Sequence, residues 1–168
     1  MAYSAPPNFV AGAVLTEAQL DILSDDIVFL ANPPKVRAYN SAAISITNAT
    51  STALTSNSER FDTDTMHSTA TNTGRITFTT AGTYAIVGHA SWASAAGNLR
   101  ELTVRAGGAT QIAAQRAAPI GAGFGSELSI ATQYDFTAGQ YVELMAYQDS
   151  GAAINVATCA FAAVWVSL

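Results

Sequence analysis

The spacing of hydrophobic positions divides the chain at Pro33-Pro34. Before that pair, Leu20, Leu23, Ile27 and Leu30 fall at the three-four-three spacing of one helical seam, and Ile22 and Phe29, seven apart, form a second stripe. Thr16 followed by Gln19 predicts an N-cap with a capping box, and Leu15 just ahead faces Leu20 as a hydrophobic staple. The helix ends at about Ala31, because Pro33 and Pro34 lack an N–H and push the residue before them out of the α region. Upstream, Pro6, Pro7 and Gly12 stand among small residues without periodicity, which predicts an extended arm that orders on a partner. A helix of about 16 residues is marginal alone in water, so its apolar surface needs cover. It either packs on its own domain, or its seam enters a three-helix bundle or a docking surface.

From Val36 onward the period changes to that of strands: short Val/Ile/Thr/Tyr/Phe runs separated by Gly, Asn and Ser clusters. The runs are Val36–Asn40, Ile44–Ile46, Thr52–Leu54, Glu59–Phe61, Arg75–Thr79, Thr83–Ser94, Leu99–Ala106, Thr110–Ala114, Glu127–Phe136, Tyr141–Gln148 and Ile154–Val166. In Glu127–Phe136, Leu128, Ile130, Thr132, Tyr134 and Phe136 share one face and Glu127, Ser129, Gln133 and Asp135 the other, the mark of a half-buried strand. Ile154–Val166 is apolar on both faces, with Ala160, Ala162, Val164 and Val166 opposing Cys159, Phe161, Ala163 and Trp165. It is expected in mid-sheet, buried on both sides, with Phe161 and Trp165 in the core or at a contact between copies. The fold class is therefore mainly β: an antiparallel sandwich (residues 35–168) preceded by an arm and one short α-helix (residues 1–34).

Composition and charge narrow the partners. Among 168 residues only 11% are charged while 49% are hydrophobic, which excludes a disordered chain. Seven basic residues against twelve acidic ones give −5, so no footprint for a nucleic-acid backbone exists. No run approaches the ~20 apolar residues of a membrane span, and no signal-peptide pattern opens the sequence. The charge is uneven. Glu17, Asp21, Asp25 and Asp26 put −4 on residues 1–34, which hold no Lys or Arg, and leave the sandwich near neutral at −1. With so little repulsion between copies the sandwich is expected to self-associate. The acidic helix suits a basic or amide-rich docking surface, with Pro33-Pro34 as a stiff spacer between anchor and knob.

Chemistry is sparse. Asp62, Asp64 and His67 could offer ligands to a cation from a loop, but the run lacks the Gly and distal Glu of a calcium loop, and Asp in such places commonly bonds local backbone. Cys159 lies in the most apolar strand, which predicts an inert thiol; a nucleophile would need His67 or His89 beside it. Glu127, Asp135 and Glu143 are dispersed, so no acid/nucleophile pair is specified. The glycine-rich run Gly121–Gly125 has no Lys-Ser/Thr after it and reads as a surface loop. Arg100 and Arg105 flank Glu101 as rim ion pairs. Trp92 and Phe124 are the aromatics that could meet a sugar or protein ligand, although Trp92 also suits the core. No enzyme, cofactor or metal is expected.

Three stretches resemble the complement-type globular head, a tumour-necrosis-factor-like jelly roll: Gly74-Arg75-Ile76-Thr77-Phe78-Thr79-Thr80-Ala81-Gly82-Thr83-Tyr84, Phe136-Thr137-Ala138-Gly139-Gln140-Tyr141-Val142-Glu143-Leu144 and Ala160-Phe161-Ala162-Ala163-Val164-Trp165-Val166. The family often has Asp at Gln140 and a Ser-Gly pair at Ala162-Ala163. This resemblance implies a ten-strand jelly-roll protomer and a compact homotrimer. The helix-then-jelly-roll layout, with Leu15–Leu20 leading to Pro33-Pro34 and then Ser58–His67, is similar to small virion proteins of tailed bacteriophages. It implies a structural protein of the virion among major capsid or tail proteins; Leu15, Leu20, Leu23, Ile27 and Leu30 are the residues expected to anchor the helix there or to join it to its trimer mates. Capsid decoration is the expected position; a tail-tip or tail-fibre module binding a host-surface glycan or receptor is the alternative.

Overall fold

The structure, a computed structural model, describes residues 4–5, 7–119 and 123–168. Helix α1 spans Glu17–Ala31 and begins as its sequence dictates: Gln19 N–H donates to Thr16 Oγ1, and Thr16 N–H donates back to Gln19 Oε1 at 3.0 Å. It stops at Asn32, whose N–H still reaches the Val28 carbonyl at 3.0 Å. The arm runs back along the helix: Ser4 N–H donates to Asp26 Oδ1 at 2.9 Å, and Gln19 Nε2 donates to the Asn8 carbonyl at 3.3 Å. Buried Phe29 is the helix's hold on the sandwich, its ring edge-on to Trp165 at 4.8 Å. The second stripe thus turns toward the protein, while Leu20, Ile27 and Leu30 of the seam are 49%, 66% and 55% exposed and Leu23 is half-buried. Leu15 and Leu20, the expected staple, both lie half-exposed. The proline pair is no spacer. Pro34 is buried and its carbonyl accepts the Trp165 N–H at 2.9 Å, while Thr63 Oγ1 donates to the Pro33 carbonyl, so the pair is bolted to the sandwich.

Eleven strands follow: β1 Lys35–Asn40, β2 Ile44–Ile46, β3 Thr52–Ala53, β4 Ser58–Asp62, β5 Arg75–Thr77, β6 Gly82–Trp92, β7 Arg100–Ala106, β8 Thr110–Ala117, β9 Ser126–Phe136, β10 Tyr141–Gln148 and β11 Ile154–Ser167. They form two antiparallel sheets. The larger, of six strands, runs β4-β1-β11-β6-β9, with β2 joining β11 beyond the end of β1; the smaller, of five, runs β3-β10-β7-β8, with β5 joining β10. This is the jelly-roll sandwich.

Alternate residues of each strand face the other sheet, and that shared layer is the core: Val36, Ile46, Ile76, Phe78, Tyr84, Ile86, Trp92, Leu102, Val104, Val142, Leu144 and Val156 are all at most 1% exposed. Gly82 opens β6 at φ 146°, where a Cβ would lie 2.3 Å from Trp165 Nε1 and 2.5 Å from the Ser167 carbonyl oxygen. Only glycine lets the two strands close there. Strand β11 does sit in mid-sheet, between β1 and β6. Its expected burial on both sides needs correction: Cys159, Phe161, Ala163 and Trp165 are buried in the core, but Ala160 and Ala162 are half-covered and Val164 and Val166 are exposed. The second apolar face looks outward.

Candidate functional site

The register of the larger sheet assembles an uncharged patch on its outer face. One row reads Phe61, Arg37, Ala162, Val87, Ala131 across β4, β1, β11, β6 and β9. The rows beside it carry Tyr39, Ala160, His89 and Ser129, and Lys35, Val164, Ala85 and Gln133. Over β11, β6 and β9 the patch is therefore built from alanine, valine and small polar groups, with Val87 51% and Val164 38% exposed. Its cations, Lys35 and Arg37, stand at the β1 side. Small side chains make such a surface nearly flat, so a second surface can approach closely, and over β11, β6 and β9 these rows bring no Lys, Arg, Asp or Glu to be stripped of water.

The outer face of the smaller sheet is built in the opposite way. Arg75, Glu143 and Arg105 alternate across β5, β10 and β7, and Tyr147, Glu101 and Arg116 across β10, β7 and β8. Arg75 Nε donates to Glu143 Oε1 at 3.0 Å and its guanidinium lies 4.1 Å from the Tyr141 ring centre. Arg116 Nε donates to Glu101 Oε2 at 2.7 Å, and this pairing holds the Glu101 carboxyl below its ordinary range.

The residues singled out for chemistry are occupied structurally. Asp62 accepts N–H bonds from Asp64, Met66 and His67 and so folds the loop after β4. Asp64 accepts from the hydroxyls of Thr79 and Thr80. His67 is buried, with Nδ1 2.7 Å from Glu59 Oε1 and Nε2 3.1 Å from the Thr73 carbonyl; a carbonyl only accepts, so Nε2 carries a hydrogen. These residues hold a turn. Cys159 faces the core beside the Thr55 carbonyl, and burial pushes its thiol up. Its cross-strand partner is Ala90, so the neighbouring His89 points to the other side of the sheet.

The remaining residues singled out by the sequence have mixed outcomes. Trp92 is 1% exposed and belongs to the core, not to a ligand surface; Phe124 is 68% exposed, in a loop whose residues 120–122 lie outside those described. Phe161 and Trp165 are core residues. Arg100 is not on the rim: it is fully buried, with Nη1 donating to the Leu99 carbonyl and Nη2 to those of Ala95 and Ala96, while Glu101 pairs with Arg116 instead. Burial lowers the Arg100 pKa, which the nearby Asp149 partly offsets. Asp149 itself accepts the N–H groups of Asn98 and Leu99 and is held below its ordinary value by them. Sequence reading also missed a groove of about 390 Å³ at the sandwich corner, lined by Tyr134, Phe136, Gln140 and Tyr141. Tyr134 alternates with inward residues of β9, yet it sits near the strand end and is 40% exposed.

No family model matches the chain, and no curated protein matches it. Among solved structures the globular domain of a zebrafish complement 1qA protein is similar at 14% identity, with a TM-score of 0.62 over 79% of this chain and 97% of that one. Murine APRIL, in structures at pH 8.5 and pH 5.0, is similar at 7% identity, with TM-scores of 0.54 and 0.57 over 76% and 77% of this chain and 98% of that one. At these identities the likeness is one of fold, and the fold is the complement-type jelly roll.

Proposed function

We propose that this protein is a non-enzymatic, homotrimeric jelly-roll head whose copies meet through the outer face of the larger sheet. The observation that carries the reading is the uncharged surface of Ala85, Val87, Ala131, Ala160, Ala162 and Val164, open to water on a sandwich of near-zero net charge. The absence of enzymatic activity is supported by Cys159 facing away from His89 and by acidic groups committed to backbone and arginine partners. From the helix-then-jelly-roll layout, the trimer is a surface knob of a bacteriophage particle, with residues 1–34 contacting a capsid or tail protein and decoration of the capsid as its role. A second reading, a tail module that binds a host glycan, is favoured by the Tyr134–Tyr141 groove, since sugars stack on exposed aromatic rings.

Sedimentation equilibrium of the full chain at micromolar concentration is expected to give three times the 17.4 kDa protomer mass; a stable monomer would overturn the trimer. Removal of residues 1–34 is expected to leave the trimeric head and to abolish its recovery with purified particles. Normal copy number on particles after that deletion would place the contact on the jelly roll.

A further inference from the structure

The exposed seam of α1 has a geometry that selects its own partner. With Leu20 as heptad position a, Leu23 is d, Ile27 is a and Leu30 is d. Ile22 and Phe29 are then both c residues, and it is Phe29 that the sandwich buries, so the helix's hold on its own domain leaves the a/d side open. The exposed acids Asp21 and Asp25 occupy b and f, about 140° or more round the helix from the seam at 3.6 residues per turn. They stay in water when the seam is covered.

The flanks of the seam are equally informative. Positions g are Gln19 and Asp26, and positions e are Ser24 and Ala31. In parallel helices in register, g meets e of the neighbour's next heptad, which sets Gln19 against Ser24 and Asp26 against Ala31. No carboxylate opposes another, although the segment carries four acids and no base. Asp26 is already engaged by the Ser4 N–H, and the small e residues leave room for the arm that runs along the g side through Ser4 and Asn8. Pro34 ties the helix to Trp165 near the end of β11, the strand whose outward side forms the middle of the uncharged patch. Copies gathered on that patch bring their helices together at one end, side by side and pointing the same way.

We propose that α1 is a second self-association element: three copies of the seam Leu20, Leu23, Ile27 and Leu30 pack as a parallel, in-register bundle at one end of the trimer. The inference rests on the trimeric reading of the head. It assigns the seam to two further copies of this chain, not to a capsid or tail surface.

The test is site-directed cross-linking of the full-length protein. Ile27→Cys places a thiol at the bundle axis, and Asp25→Cys places one at the outermost position; unmodified protein, whose only thiol is the buried Cys159, is the control. A trimer with one reactive thiol per chain can join only one pair, so mild oxidation is expected to turn about two in three Ile27→Cys chains into covalent dimers. That fraction should not change over a tenfold dilution. Leu30→Cys, one d position nearer the sandwich, is expected to match it, whereas Asp25→Cys and the control stay uncross-linked. If both seam variants sediment as trimers yet do not cross-link, the bundle is wrong and the seam faces another partner. Sedimentation as monomers would overturn the trimer itself, a separate result.

Discussion

The two outer faces of this sandwich obey different chemistry. On the smaller sheet long polar chains pair across neighbouring strands, Arg75 with Glu143 and Arg116 with Glu101, and an aromatic ring lies beneath Arg75. That face is finished as it stands, with charges hydrated on one side and paired on the other. On the larger sheet β11, β6 and β9 present Ala85, Val87, Ala131, Ala160, Ala162 and Val164 with no ion pair among them. Of the large hydrophobic side chains left exposed among the described residues, Phe61, Val87, Tyr134, Val164 and Val166 lie on the larger sheet and eight more lie between Phe9 and Leu30; none lies on a strand of the smaller sheet. The difference teaches that the two sheets meet water by opposite means, one with paired charge and the other with small uncharged side chains.

The largest effect should come from placing charge at the centre of the uncharged face. Val87→Arg puts a guanidinium on the face proposed to join the copies, and desolvating it in each of them is expected to weaken assembly at least a hundredfold, about 3 kcal/mol, in sedimentation equilibrium. Met145→Arg, half-buried on the outer side of β10 in the smaller sheet, is expected to leave the mass in solution unchanged. Equal effects of the two would erase the contrast. Next in size is the one arginine of the smaller sheet that turns inward. Arg100→Met removes the donors to three carbonyl groups and should lower unfolding free energy by about 2–4 kcal/mol in urea titration, without changing the oligomeric mass. The surface pair is smaller again: Arg116→Ala, at a side chain 62% exposed, should cost at most about 1 kcal/mol.

Acid should act on the finished face gently. Glu101 is held below its ordinary 4.5 and Asp149 below its ordinary 3.8, so between these values and the lower folded-state ones the unfolded chain binds more protons. Their contribution is whole above about pH 4.5 and is lost as the pH falls through the folded-state values. Thermal melts from pH 6 to pH 2 check this, with Glu101→Gln expected to flatten part of the decline.

Much of this architecture is written locally in the chain. The Thr16–Gln19 cap and the proline stop set the helix, and each of the strand ranges expected after Val36 is occupied, because alternation and turn residues act over a few positions. What escaped is what depends on distant partners. An apolar strand looks the same whether its second face is covered by its own protein or waits for another, so β11 was expected to be buried twice. Arg100 gives no local sign that the carbonyls of residues 95, 96 and 99 will surround it. Pro33-Pro34 reads as a stiff spacer until the N–H of Trp165, far along the chain, donates to the Pro34 carbonyl.

That last dependence has a temporal side. Strand β11 is the last of the strands to leave the ribosome, yet it is the only neighbour shared by β1 and β6, and its pairs join Lys35 to Val164 and Ile46 to Ile154. The larger sheet cannot close before β11 has been made. Until those residues emerge, β1, β2 and β6 lack their common template, and the closure of so long a loop makes folding slow. Half of the six alanine and valine positions of the uncharged patch, Ala160, Ala162 and Val164, also belong to β11, so that face is complete only when this strand has paired. Closure of the larger sheet and completion of its outer face are therefore one event, set by the same late strand.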